Sequence, residues 1–148
     1  MSQLPAFLRR HSRIAIDPCI FIYELEANPR YVSAADKIFA WLEQPGHTGV
    51  TSTITMTELL VHPYREDDEA RVNRFYALLS TYPNLEWLAP GLEIADLAAR
   101  FRARFGLRTP DALQAATAVR ARATGFITND PHVKRVEAFE TLLLVDLV

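Results

Sequence analysis

Short apolar runs alternate with longer stretches of helical period, and this alternation narrows the folds open to the chain more than any other feature. Arg13–Asp17, Thr48–Ser52, Leu85–Leu88 and Phe126–Thr128 read as strands, and Leu142–Val145 as a fifth, weaker one. Between them lie helical patterns at Ile20–Leu25, Ser33–Leu42, Thr55–Val61, Arg71–Leu79, Leu92–Phe105 and Thr109–Ala123. In the longest of these, Leu97, Phe101 and Phe105 fall four apart on one face, and Gly106 supplies a stop. His62-Pro63 is expected to end the Thr55 helix, and Gly125 the Thr109 helix. Strands that alternate with helices imply βα units. The expected class is therefore α/β: three layers, α/β/α, around a central, mainly parallel five-stranded sheet. No repeat, low-complexity segment or linker interrupts the pattern, so residues 1–148 read as one domain.

In such a sheet, ligands bind beyond the carboxyl ends of the strands. Four acids fall at or near such ends. Asp17 closes the first strand, Asp130 follows the fourth, and Glu58 and Asp111 begin helices. Each also has a purely local reading. Asp17-Pro18 and Asp130-Pro131 look like N-caps followed by proline at the first helical position. Thr109-Pro110-Asp111 looks like a capped start with an acid in the first turn. Thr55-Met56-Thr57-Glu58 matches a capping box. The functional reading is that all four share one rim. Carboxylates so gathered repel one another and take up protons, a conflict that a hard divalent cation relieves. Such a cation also activates water against a phosphodiester. Zinc fits poorly: the four histidines show no helical pair and Cys19 is the single cysteine.

The net charge of −2 argues against a simple electrostatic sleeve for nucleic acid. The single cysteine permits no internal disulfide and suits a reducing cytosol. No apolar run is long enough for a signal peptide or a membrane span, so the expectation is a soluble, cytoplasmic protein.

Four segments together resemble the motifs of PIN-domain ribonucleases, in the family's order. They are Asp17-Pro18-Cys19-Ile20-Phe21-Ile22-Tyr23-Glu24-Leu25, Thr51-Ser52 through Thr57-Glu58-Leu59-Leu60, Thr109-Pro110-Asp111-Ala112-Leu113-Gln114-Ala115-Ala116, and Phe126-Ile127-Thr128-Asn129-Asp130. The resemblance implies an endoribonuclease that depends on Mg²⁺, with Mn²⁺ as a possible substitute. It assigns Asp17 and Asp111 as the main metal ligands, with Glu58 and Asp130 completing the catalytic site. Members of this length are commonly the VapC-type toxin of a type II toxin–antitoxin pair. The implied partners are thus an RNA substrate, a cognate antitoxin and a second copy of the chain. Thr128 and Asn129 are candidates to support the ligands or a phosphate; otherwise they suit a strand end and a turn. Pro18 stands where many members carry Ser or Thr, Gln114 replaces a frequent His, and the usual Phe a few residues after the fourth motif's Asp is missing, with Val133 and Val136 the nearby apolar residues.

Arg100, Arg102, Arg104 and Arg108 form a candidate phosphate track, although residues two apart on a helix face different ways. Three other functions compete. One is a phosphoryl-accepting Asp17, against which Cys19 stands where a dehalogenase-type phosphatase carries a second Asp. Another is a non-catalytic PIN-like module for RNA binding or assembly. The last is a PIN nuclease outside any toxin pair.

Overall fold

The computed structural model of the protein describes residues 3–147. Its centre is a sheet of five strands: β1 (Arg13–Ile16), β2 (Thr48–Ser52), β3 (Leu85–Leu88), β4 (Gly125–Thr128) and β5 (Glu140–Leu143). They lie in the order β3-β2-β1-β4-β5, and every pairing is parallel. The expected α/β class and parallel sheet are thus observed.

Alternation along the strands divides the core in two, because successive side chains leave opposite faces of a sheet. Ile14, Ile16, Ile127 and Leu142 point into one cluster. This cluster is roofed by α1 (Gln3–Arg10), α2 (Pro18–Leu25), α3 (Val32–Leu42), α4 (Ile54–Arg65) and α5 (Glu69–Ser80). Ala15 and Phe126 point into the other, against α6 (Leu92–Phe105) and α7 (Thr109–Arg120). Ala112, Ala115, Ala116 and Ala118 are fully buried there, and their small side chains bring α7 close to the sheet. Among the described residues no helix is long and apolar enough to cross a membrane.

Several boundaries differ from expectation, each for a local reason. Helix α4 runs through Pro63 to Arg65: the proline gives up its own bond to the Leu59 carbonyl, the helix continues only two residues beyond it, and its ring is buried. Helix α7 stops at Arg120, ahead of the expected Ala123. The stop is Arg122 in the left-handed region (φ 61), where Ala123 N–H donates to Ala118 O at 2.9 Å. Gly125 is instead the first residue of β4. A Cβ there would lie 2.7 Å from Phe7 Cζ, so the glycine is what lets α1 rest on the sheet. Strand β5 begins two residues earlier than expected. Val145 has left the sheet, and its N–H donates to Asn129 Oδ1 at 2.7 Å.

The connections set where the chemistry can sit. From β1 the chain proceeds outward through β2 to β3, then returns to place β4 on the other side of β1. The carboxyl ends of β1 and β4 therefore flank the point where the order reverses, the usual ligand crevice of such sheets.

Candidate active site

Asp17 lies one residue beyond β1, and its N–H still donates to Ile127 O of β4 at 3.0 Å. Its backbone is extended (φ −72, ψ 152), and its carboxylate caps α2 by accepting from Cys19 N–H at 3.3 Å. Pro18 occupies the first helical position, as an N-cap followed by proline predicts. Capping and chemistry are therefore compatible at this residue.

Asp130 does the same after β4. It caps a short 3-10 helix, Pro131–Arg135, accepting from His132 N–H at 3.0 Å, and its Oδ1 also meets His132 Nδ1 at 2.9 Å. Asp111 stands in the first turn of α7, where the helix dipole favours an acid. Glu58 is exposed, one turn into α4. The four acids line a common pocket of about 500 Å³ with Pro18, Cys19, Ile22, Arg108, Pro110, Asn129 and Pro131.

The charges feel one another. Burial pushes the Asp17 carboxyl up to about 6, and the charges of Asp111 and Glu58 add to the rise against the hydrogen bonds from Cys19. Burial also raises Glu58, helped by Asp111 and opposed by Arg108. Asp111 is raised by burial and by its contact with Asp130, while Arg108 opposes. Burial would raise Asp130 too, but hydrogen bonds from His132 N–H, from Asp111 and from the His132 ring hold it low. Asp111 and Asp130 are thus pushed in opposite directions, Asp111 up and Asp130 down. The Cys19 thiol is pushed far up by burial and by Asp17, which makes it inert as a nucleophile.

Among the described residues, no three His, Cys, Asp or Glu side chains converge as a ready-made metal cage. The donor set does fit a hard cation that keeps much of its water shell and takes one or two carboxylates directly. It offers oxygen donors, and three of the four acids are raised toward protonation by burial and mutual charge.

Other expectations are revised. The capping box at Thr55 does not form: the N-cap is Thr53, without a side-chain bond, and Ser52 Oγ accepts from Ile54 N–H instead. Thr109 is not a cap either, since the N-cap of α7 is Arg108. Thr128 is fully buried, and its hydroxyl accepts from Asp130 N–H at 3.1 Å. Asn129 lines the pocket, yet its amide is committed elsewhere. It donates to Tyr23 Oη at 2.9 Å and accepts from Val145, tying α2 to the chain after β5.

The arginine track dissolves. Arg100 pairs with Asp96, Arg102 donates to Leu107 O, and Arg104 lies over the Phe105 ring. Arg108 alone of the four reaches the pocket, donating through Nε to Asp111 Oδ2 at 3.1 Å. Sequence reasoning missed this pairing, although the i,i+3 spacing of Arg108 and Asp111 was there to suggest it.

Solved structures share this architecture. A VapBC2 complex from Rickettsia felis bound to a promoter DNA fragment superposes with a TM-score of 0.67 at 16% identity, covering 88% of this chain and 98% of that one. A toxin–antitoxin complex from Klebsiella pneumoniae gives 0.67 at 21% identity, covering 88% and 97%. VapBC-1 from nontypeable Haemophilus influenzae gives 0.67 at 18%, covering 90% and 98%. At these identities the likeness speaks to the fold. Comparison with curated protein sequences finds no match. The family model of the PIN domain matches residues 14–138, a span that holds all four acids. The chain therefore belongs to the PIN-domain family.

Proposed function

We propose that this protein is a metal-dependent endoribonuclease, served by Mg²⁺ or Mn²⁺, and the toxin half of a toxin–antitoxin pair. The observation that carries this reading is the meeting of Asp17, Glu58, Asp111 and Asp130, from four separate elements, in one pocket beside the sheet's reversal point. Asp17 and Asp111 are the proposed principal ligands, with Glu58 and Asp130 completing the set. A bound divalent ion would offset their repulsion and polarise the scissile phosphodiester. The chain's own residues do the rest. Asp130, held low by His132, stays ionised and is suited to hold a second ion or to orient an attacking water. Arg108 brings a positive charge to the same pocket and suits a phosphate oxygen. Thr128 and Asn129 hold the turn that carries Asp130.

The partner reading has its own support. Between α4, α5 and β3 lies an apolar groove of about 930 Å³ that includes Met56, Leu60, Tyr64, Tyr76 and Trp87. Tyr64 is 60% and Tyr76 55% exposed, an apolar surface that favours a protein partner. The structural neighbours that are toxin–antitoxin complexes suggest the kind, a cognate antitoxin; a second copy of this chain is proposed beside it. We assign the protein to the cytoplasm as one domain across residues 1–148. Incubating the purified protein with total cellular RNA tests the activity. Discrete fragments with Mg²⁺ or Mn²⁺ and none with EDTA are expected. Tight RNA binding without cleavage under any metal would favour the non-catalytic module.

A further inference from the structure

Beneath the acidic pocket runs a chain of buried hydrogen bonds that the proposed chemistry does not use. Thr51 of β2, Thr55 of α4 and Gln114 of α7 are 1%, 0% and 4% exposed, respectively. Gln114 Nε2 donates to Thr55 Oγ1 at 2.8 Å, and Thr55 Oγ1 lies 2.7 Å from Thr51 Oγ1. Thr51 Oγ1 in turn donates to Ile16 O at 3.2 Å. Each hydroxyl has one proton, so the direction is fixed. Thr51 spends its proton on Ile16 and must accept from Thr55, which accepts from Gln114.

Ile16, Thr55 and Gln114 each lie within three residues of a proposed ligand along the chain. Ile16 immediately precedes Asp17. Thr55 lies three residues before Glu58, and Gln114 three after Asp111, so each pair shares a helix face. One connected set of bonds thus links the three elements that carry Asp17, Glu58 and Asp111. We propose that Thr51, Thr55 and Gln114 are positioning residues that fix the relative placement of these three carboxylates. This rests on the reading of the acids given above.

Packing alone does not demand polar side chains here. Val in place of Thr, and Leu in place of Gln, would occupy similar space in an alanine-rich seam, and removing both partners of a buried bond can be nearly neutral. Apolar contact is non-directional, so α7 could slide on β2 and α4 under the repulsion of the acids. A relay of directional bonds in a low-dielectric interior resists that slide.

The test compares wild type with Thr55→Val, Gln114→Leu, their double variant and Thr55→Ser. The double variant removes both partners and leaves no stranded amide, so it folds even where Thr55→Val does not. The first readout needs no metal: the carboxyl ¹³C resonances of Glu58 and Asp111. The second is Mn²⁺ affinity by calorimetry, and the third is the kcat and KM of RNA cleavage. We expect the double variant to shift both resonances. It should bind Mn²⁺ roughly tenfold more weakly, the lower end for partners of metal ligands, and lose kcat with KM little changed. Thr55→Ser should restore all three. Unmoved resonances would overturn the proposal, as would shifted resonances with wild-type Mn²⁺ affinity and kcat. If wild type itself neither binds Mn²⁺ nor cleaves RNA, the nuclease reading fails, and the resonances alone decide the positioning role.

Discussion

Arg108 donates its Nε–H to the Asp111 carboxylate at 3.1 Å, from a side chain 82% exposed to one 14% exposed. A flexible exposed arm anchored on a half-hidden acid can be released when that acid finds another partner. Arg108 lines the pocket, and its guanidinium suits a phosphate oxygen there. Arg108→Ala should weaken RNA binding and lower the salt slope of log K by about one unit, the signature of one lost phosphate contact. Titration of the protein with a fluorescent RNA oligonucleotide at several salt concentrations checks this. An unchanged slope would limit Arg108 to balancing charge.

Asp17 links chemistry to stability. Its folded-state value of about 6 stands above the ordinary 3.8, so the folded protein holds this proton more tightly than the unfolded chain. The penalty is absent below about pH 4, grows as pH rises through 4 to 6, and is complete above that range. In EDTA, Asp17→Asn should therefore be more stable than wild type by about 3 kcal/mol at pH 7.5, and by little at pH 4. Urea unfolding at the two pH values checks the sign. The same variant should have lost RNA cleavage.

Gly125 carries helix α1. A Cβ at this position would meet Phe7 Cζ at 2.7 Å and His11 Cδ2 at 3.1 Å, and Phe7 is 1% exposed, with no room to withdraw. Gly125→Ala should destabilise the protein by about 1–3 kcal/mol, the usual cost of overpacking. Adding Phe7→Leu should recover part of it. Thermal melts of the two variants make the comparison.

The groove by α4 and α5 predicts a variant that loses its partner and keeps its fold. Tyr64 and Tyr76 are mostly exposed, so Tyr64→Glu with Tyr76→Glu should leave the melting temperature within a degree or two. It should abolish association with an antitoxin or a second copy, as read by light scattering. Wild-type association in this variant would move the interface elsewhere.

The strands were readable because their apolar runs feed two buried faces, and Ile14, Ala15 and Ile16 pass to alternate sides as the period demands. The acids could be grouped because Asp17 and Asp130 follow strand ends while Asp111 and Glu58 lie near the starts of helices, all lining one pocket. Helix α1 was missed. Leu4, Phe7 and Leu8 form a stripe too short to stand out, and its docking depends on Gly125, far along the chain. The relay was hidden for a similar reason. Thr55 imitates a cap in the sequence, and its actual partner, Gln114, lies 59 residues away. Long-range pairings of small polar residues carry no period and no motif.

The central claim is that Asp17, Glu58, Asp111 and Asp130 form one metal site that cuts RNA. It is tested most directly by placing Asp17→Asn, Glu58→Gln, Asp111→Asn and Asp130→Asn beside wild type. Each protein is titrated with Mn²⁺ by calorimetry and then given total RNA with Mn²⁺ or EDTA. The account predicts metal-dependent cleavage by wild type. It also predicts weakened Mn²⁺ binding in the Asp17 and Asp111 variants and a large loss of cleavage in all four. Folded Asp17 and Asp111 variants that bind Mn²⁺ and cut RNA as wild type does would contradict it.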